Sequence, residues 1–340
     1  MGIVSPQLST KTLVPLCRQL ATSYDAGIPI LRTLEIVHKN TRDRAAREVL
    51  ERMGRAIRNG KTLGEAARAQ KDRLPPIMVE LLASGEVGGN LDASLRDLAG
   101  YFEERQRMKR TIIGKSIYPA LQLAAAWFLG SFALMLIRQM SFTDTRFNFN
   151  TYLEYYMRFQ GAAMLLFGSG AATSVVLARL GIFKWIWGYV ATHVWPLAPV
   201  TRRFAMARYF RSLSLLIGSG VPIVRALERA AATCANPYIE RDLLKPAPLV
   251  AGGSTLVEAF AHSEYLPETA RELLHVGEQS GKLEAALNKA AQYQMDEAVH
   301  AVNVATRVGE VAISLAVAVV VGYIVISFYS SYLGKFDELT

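Results

Sequence analysis

The sequence predicts an all-α membrane protein with two homologous helical bundles of about six helices each and three transmembrane helices. Three observations support this fold class. They are a long internal repeat, three uncharged apolar segments of membrane-spanning length, and apolar residues at helical spacing. No segment of strand length alternates apolar and polar residues. The 340 residues are 51% hydrophobic, which is high for a soluble protein. This length suffices for two domains with their own cores.

The internal repeat begins with an offset of 193 residues. Between positions 17 and 35, 8 of 19 residues are identical to those at positions 210–228. The same offset aligns 60–66 with 253–259, and an offset of 192 then aligns 80–91 with 272–283. Three blocks in one order at nearly one offset indicate that a domain has been duplicated.

Local signals place the helices of the first copy. Apolar residues at helical spacing predict a helix over 13–26 that stops at Gly27, whose missing Cβ suits a left-handed cap. Thr62 and Glu65 have the form of a capping box, and Thr255 and Glu258 repeat it. The remaining helices are predicted over 29–40, 42–59, 76–84 and 90–115. The last of them is expected to continue directly into the first membrane span.

Three segments carry no charged residue and predict the spans: 116–137, 159–178 and 311–334. Each is long enough to cross a bilayer as a helix. The segment 159–178 is the least hydrophobic, and its Gly and Ser residues suit close helix packing. A fourth apolar stretch, 185–200, contains three Trp residues and two Pro residues and is expected near the headgroups or as an extension of the second span.

Basic residues predict the orientation of the chain. Five of them lie between 105 and 115, before the first span, and only two in the 15 residues after it, so the N-terminus is expected in the cytoplasm. The expected domains are a first cytoplasmic repeat domain (1–115), transmembrane helices (116–137, 159–178, 311–334), a periplasmic loop (138–158), a second cytoplasmic repeat domain (179–310) and a periplasmic tail (335–340).

Several kinds of chemistry are not expected. The net charge is +9, but basic residues alternate with acidic ones along helices, which argues against nucleic-acid binding and is compatible with anionic lipid or an acidic partner. The stretch 54–62 resembles a phosphate-binding loop but has five residues between its glycines instead of four. The two Cys and five His residues form no catalytic or metal-binding pattern. We expect no enzyme activity, no cofactor and no metal.

A duplicated Gly-Glu-x-x-Gly-x-Leu turn is the most specific local motif. Its glycines allow positive φ between two helices. The two glutamates have two interpretations: each could accept hydrogen bonds from free N–H groups at the start of the next helix, or each could contact a partner. The motif residues are Gly85, Glu86, Gly89 and Leu91 in the first copy, and Gly277, Glu278, Gly281 and Leu283 in the second.

Taken together, these motifs resemble the type II secretion system F family, the inner-membrane platform proteins of type II secretion and type IV pilus machines. The resemblance covers almost the whole chain. It includes the Gly-x-Pro-x-x-x-x-Leu-Glu start of each copy, the Gly-x-Ser/Thr-Leu-x-Glu-Ala turn and the Gly-Glu-x-x-Gly-x-Leu turn. Tyr118 and Pro119 match the family at the start of the first span, and the Trp-Pro-Leu sequence at 195–197 also looks like the family.

The resemblance implies a multi-pass protein of the bacterial inner membrane with a cytoplasmic N-terminus. Such a protein would dock a hexameric secretion ATPase and transmit its motion to pilin or pseudopilin subunits. Other inner-membrane assembly components, membrane lipid and further copies of the chain are the other expected partners. The resemblance leaves open whether the system is secretion or pilus assembly, and which oligomer forms.

Candidate contacts for the motor are the turns at Glu86 and Glu278 and the basic stretch 105–110. That stretch supplies Arg105, Arg107, Lys109 and Arg110. The alternative function is a small polytopic transporter or channel subunit. It would predict ionisable residues along a pathway inside the spans, and the three uncharged segments contain none.

The chain departs from the family pattern in two places. Family members often carry an additional segment before the first copy, whereas here about a dozen residues precede it, which puts any ATPase contact made by that segment in doubt. The second copy commonly has Glu-Pro where the first has Tyr-Pro, but this chain has Glu310 and Val311. The third span is therefore expected to begin without a proline kink.

Overall fold

The computed structural model describes residues 7–142, 149–179 and 182–337, and over these ranges the chain is helical without any strand. The prediction of an all-α fold is confirmed. The described chain divides into two compact units, one containing residues up to 110 together with 184–301, and the other containing 111–183 together with the residues from 302 onward.

The first copy has six helices, as predicted. Asp43 caps one of them by accepting hydrogen bonds from the N–H groups of Ala45 and Ala46. The helices are α1 (Thr10–Asp25), α2 (Ile30–Asn40), α3 (Arg44–Arg58), α4 (Leu63–Arg68), α5 (Pro76–Val87) and α6 (Leu91–Phe142). The observed α5 continues three residues past the predicted end at 84, so Gly85 and Glu86 belong to its last turn.

The second copy repeats this order with one more break. Residues 237–251 correspond to α3, but Pro246 divides them into two short helices because proline lacks the N–H that a helix interior requires. Two helices link the copies, α7 (Phe149–Arg179) and α8 (Ile182–His193). The helices of the second copy are α9 (Leu197–Gly218), α10 (Ile223–Ala231), α11 (Pro237–Leu244), α12 (Pro246–Ala251), α13 (Leu256–Ala259), α14 (Glu268–Ser280) and α15 (Leu283–Asp337).

The same backbone turns recur in both copies. Glycines with positive φ occur in pairs at the offset of the repeat, and each pair ends equivalent helices. The pairs are Gly27 (80°) with Gly220 (77°), Gly60 (83°) with Gly253 (95°), and Gly89 (69°) with Gly281 (66°). The repeat seen in the sequence is therefore a repeat of backbone conformation.

The two copies share one hydrophobic core, contrary to the expectation of separate cores. The reason is α9, which buries residues on all sides, including Phe204, Tyr209 and Leu213. A helix buried all round needs neighbours on every face, and α5 of the first copy packs against it in addition to helices of its own copy. Both copies consequently form a single packed unit.

In the second unit, polar side chains join α6 to α7. Trp127 donates its indole N–H to the side-chain oxygen of Gln160 at 2.9 Å, and the Gln160 amide donates to Ser131 Oγ at 2.7 Å. Tyr156 donates to the carbonyl of Phe128 at 2.9 Å. These groups satisfy one another between two otherwise apolar helices.

Two helices among the described residues are long and apolar enough to span a membrane, within Leu91–Phe132 and within Leu283–Tyr323. The apolar window of each is not buried within the protein. The third expected span, 159–178, lies in α7, but part of it lies outside the residues whose side chains the structure describes, so it stays a prediction.

Candidate functional site

The carboxylate of Glu86 closes the N-terminus of α4. Its two oxygens accept the N–H groups of Leu63 at 2.7 Å and Gly64 at 2.8 Å. Thr62 and Glu65 form the predicted capping box, which satisfies the N–H groups of those same two residues. All four backbone donors from 62 to 65 therefore have side-chain acceptors, which a helix start otherwise lacks.

The second copy builds the same arrangement. Glu278 accepts the N–H groups of Leu256 at 2.8 Å and Val257 at 3.3 Å. Thr255 and Glu258 form the capping box of α13. Two motifs that lie 20 residues apart in the first copy (Glu65 to Gly85) and 19 in the second (Glu258 to Gly277) are thus two halves of one structure in each copy.

These contacts decide which helix the glutamates cap. Glu86 and Glu278 lie in the last turns of α5 and α14, and their carboxylates reach back to α4 and α13. The interpretation that each glutamate caps the following helix, α6 or α15, is wrong. Each glutamate caps an earlier helix, α4 or α13. The geometry gives both carboxylates structural partners, which weakens the interpretation of these side chains as contacts for a motor.

The glycines of the motif have two separate roles. A Cβ at Gly85 would lie 2.4 Å from Ser94 Oγ, and one at Gly277 would lie 2.6 Å from the Cβ of Ala286, so these positions allow two helices to approach closely. Gly89 and Gly281 instead adopt the left-handed conformation at the turn. The final leucines follow at the start of the next helix, with Leu91 buried and Leu283 packed against the core.

An ion cluster that sequence reasoning missed joins the two copies. Glu80 on α5 is only 6% exposed, and its carboxylate lies 3.1 Å from Arg229 and 3.9 Å from Arg225, both on α10. Its counterpart in the repeat, Glu272, is exposed. No sequence signal distinguished the two glutamates, because their different environments arise from packing between the copies.

A groove of about 290 Å³ lies beside this cluster. Ser84 and Val87 of the first copy form one wall, and Val221 of the second copy forms the other. Arg68 and Arg225 add positive charge, and Val87, in the duplicated turn, is 90% exposed. The turn motif thus presents an apolar side chain at the boundary between the copies.

The basic stretch lies on α6, where the predicted residues differ in exposure. Arg107, Lys109 and Arg110 are exposed, whereas Arg105 is partly buried. Tyr118, the predicted start of the first span, is 62% exposed on the same helix. The side chain of Pro119 lies outside the described residues.

The described residues contain no group of His, Cys, Asp and Glu that could hold a metal ion. Cys17 and Cys234 are both free and buried. Burial raises the pKa of both thiols, to about 12 for Cys234. Thiols of this kind are poor nucleophiles, since the thiolate is the reactive form.

The chain is similar to proteins of bacterial secretion and pilus systems. It is 28% identical over 335 residues to "Type IV pilus assembly protein PilC" of Myxococcus xanthus, with 94% of this chain and 79% of the relative covered. A type IV pilus assembly protein PilC from Thermus thermophilus is 29% identical, covering 94% of this chain and 81% of the relative. "Type II secretion system protein F" of Aeromonas hydrophila is 26% identical, covering 94% and 85%.

A family model described as type II secretion system, protein F, matches the chain twice, at residues 16–137 and 209–330. The two matches correspond to the two copies found in the sequence, and each extends from the first helix of a copy into the uncharged part of its last helix. Together they cover well over half of the chain. The chain therefore belongs to the type II secretion system protein F family.

Proposed function

We propose that this protein is an inner-membrane assembly platform that docks a cytoplasmic secretion ATPase and couples it to assembly of pilin or pseudopilin subunits. The observation that supports this most is the architecture of α6 and α15. Each helix begins in one copy of the bundle and continues without a break into an uncharged segment. The whole of α6 is 52 residues long and the whole of α15 is 55. A load on the bundle would pass directly into these helices.

The shared core of the two copies supports the same role. Glu80, Arg225 and Arg229 and the buried helix α9 join the copies into one unit. A motor that pushes on either copy would therefore move both. This rigidity suits a scaffold, and the proposal assigns the chain no catalytic step of its own.

We place the motor contact on the exposed basic residues of α6 in preference to the duplicated turns. Arg107, Lys109 and Arg110 are exposed. Glu86 and Glu278, in contrast, already accept hydrogen bonds from backbone N–H groups. Charge complementarity favours an acidic surface on the motor, because opposite charges steer two proteins together and fix their register.

Charge reversal tests this contact. We expect Arg107→Glu, Lys109→Glu and Arg110→Glu together to lower motor binding by about tenfold or more, since close interfacial charge pairs couple by 1.5 kcal/mol or more. The matched control reverses three exposed cations of the same bundle, Arg47, Arg52 and Lys61. Equal loss in both triple variants, or no loss in the first, would place the contact elsewhere.

We also propose three membrane spans with the N-terminus in the cytoplasm. The spans at 116–137 and 311–334 rest on α6 and α15, and the span at 159–178 rests on the length of α7, 31 residues. The basic residues before the first span support this orientation. The same reasoning places 138–158 and 335–340 in the periplasm and both copies of the bundle in the cytoplasm.

Nothing in the described residues favours the transporter or channel alternative. The polar side chains between α6 and α7 are hydrogen-bonded to each other, with Gln160 only 4% exposed, instead of lining an open pathway. Their arrangement fits helix association.

A further inference from the structure

The interface between α6 and α9 brings two arginines together. The helices run antiparallel in this region, with the Tyr101 hydroxyl 3.4 Å from Ser212 Oγ and Glu104 3.3 Å from Arg211. Residues four apart share one face of a helix. Arg105, one turn after Tyr101, therefore comes opposite Arg208, one turn before Ser212.

Arg208 has no carboxylate partner in the described part of the chain. Its Nη2 donates to the carbonyl oxygen of Cys234, while its Nε is buried without a hydrogen-bond partner. Burial is the main cause that lowers the pKa of this guanidinium, and the nearby positive charge of Arg105 lowers it further. Arg105 likewise forms no ion pair with any residue that the structure describes.

Glu104, the residue before Arg105 on α6, does not neutralise this pair, because its carboxylate lies against Arg211. Two like charges at a packed interface, one of them with a buried and unsatisfied N–H, are unfavourable, and an anion between them would offset both the repulsion and the missing acceptor. Arginine forks bind phosphate oxygens in pairs, and a phosphate group offers enough oxygens for two guanidinium groups at once.

We propose that Arg105 and Arg208 form a binding site for a phosphate-type anion, supplied either by the headgroup of an acidic phospholipid or by free phosphate. The position on the chain is compatible with a lipid source. Arg105 lies 11 residues before the uncharged segment that starts at 116. Trp185 and Trp195, of the kind that lies at headgroup level, are exposed in the same unit.

The site is not a product of the duplication. The positions equivalent to Arg105 and Arg208 in the other copy are Glu297 and Pro15. A single anion site per chain is therefore expected, even though the caps and turns occur twice.

The test uses the full-length chain purified in a neutral detergent, with wild type, Arg105→Gln, Arg208→Gln and the control Lys61→Gln. Lys61 is exposed between α3 and α4, so its loss removes one charge that lies on neither helix of the pair. Thermal unfolding is followed during titration with inorganic phosphate, and separately in nanodiscs in which phosphatidylglycerol replaces phosphatidylcholine stepwise.

We expect anion binding to stabilise the wild type, because a ligand that binds the folded state raises its melting temperature. Each arginine substitution should weaken binding about tenfold or more, and Lys61→Gln less than about threefold. Without anion, Arg105→Gln should melt at the wild-type temperature or above it, since it removes a repulsion. That result separates lost binding from misfolding.

Two outcomes support the site and identify its ligand. Stabilisation by inorganic phosphate alone indicates a site open to soluble phosphate, and stabilisation only by phosphatidylglycerol indicates a lipid site. The proposal is overturned if neither anion stabilises the wild type. It is equally overturned if the arginine variants lose no more affinity than Lys61→Gln.

Discussion

At the residue scale, Glu86 and Glu278 show how a motif that resembles a binding site can be a structural device. Each carboxylate accepts two backbone N–H groups at the start of a helix that lies about 22 residues earlier in the chain. The sequence indicated that these glutamates need a specific partner. It did not indicate which one, because periodicity carries no information on a contact over that separation.

Replacement of Glu86 by Gln should destabilise the protein by about 1–3 kcal/mol, because one of the two backbone N–H groups loses its acceptor. We expect the melting temperature of the full-length protein in detergent to fall accordingly. Glu51→Gln, at an exposed i,i+4 pair, is the control and should change stability by less than about 0.5 kcal/mol. If Glu86→Gln left stability intact but abolished motor binding, the carboxylate would be a partner contact after all.

At the element scale, the short helices depend on their neighbours. The helices α4 and α13 contain six and four residues, too few to be stable alone. Their capping boxes, the proline starts and the glycine stops are all encoded locally, which is why the sequence predicted the helices of the first copy to within a few residues. The close approach of α5 to α6 at Gly85 was not predictable in this way, because the sequence motif suggested a turn glycine.

Two glycine substitutions test that close approach. Gly85→Ala should destabilise the bundle by about 1–3 kcal/mol, since its Cβ would overlap Ser94, which lies 2.4 Å away. Gly100→Ala, in α6 with open space around it, should instead stabilise the protein by about 0.5–1 kcal/mol through helix propensity. Thermal unfolding of both variants measures the difference. A stabilising effect of Gly85→Ala would show that α5 and α6 are not closely packed.

At the scale of the whole molecule, the duplication was readable from the sequence and the sharing of one core was not. Matching blocks define a repeat in one dimension, whereas the burial of α9 on all its faces depends on packing against the first copy. The cluster of Glu80 with Arg225 and Arg229 belongs to the same category. The equivalent positions in the other copy carry the same residue type at only two of the three positions. Only the fold brings the three residues together.

The membrane topology is a prediction at this scale. Cys17 and Cys234 are buried, so the native chain gives little background in thiol labelling. A membrane-impermeant maleimide added to spheroplasts should label Thr145→Cys, in the expected periplasmic loop. It should label Lys61→Cys, in the expected cytoplasmic bundle, only after permeabilisation. The reverse pattern, or labelling of both before permeabilisation, would contradict the proposed orientation.

If this chain is an assembly platform, it contacts its motor and the assembling subunits in the membrane. Cross-linked affinity purification of the tagged protein from its own membranes, with mass spectrometry of what is recovered, identifies those partners. We expect recovery of a secretion-type ATPase together with pilin-like subunits. Recovery of the protein alone, or with unrelated enzymes only, would contradict the platform role.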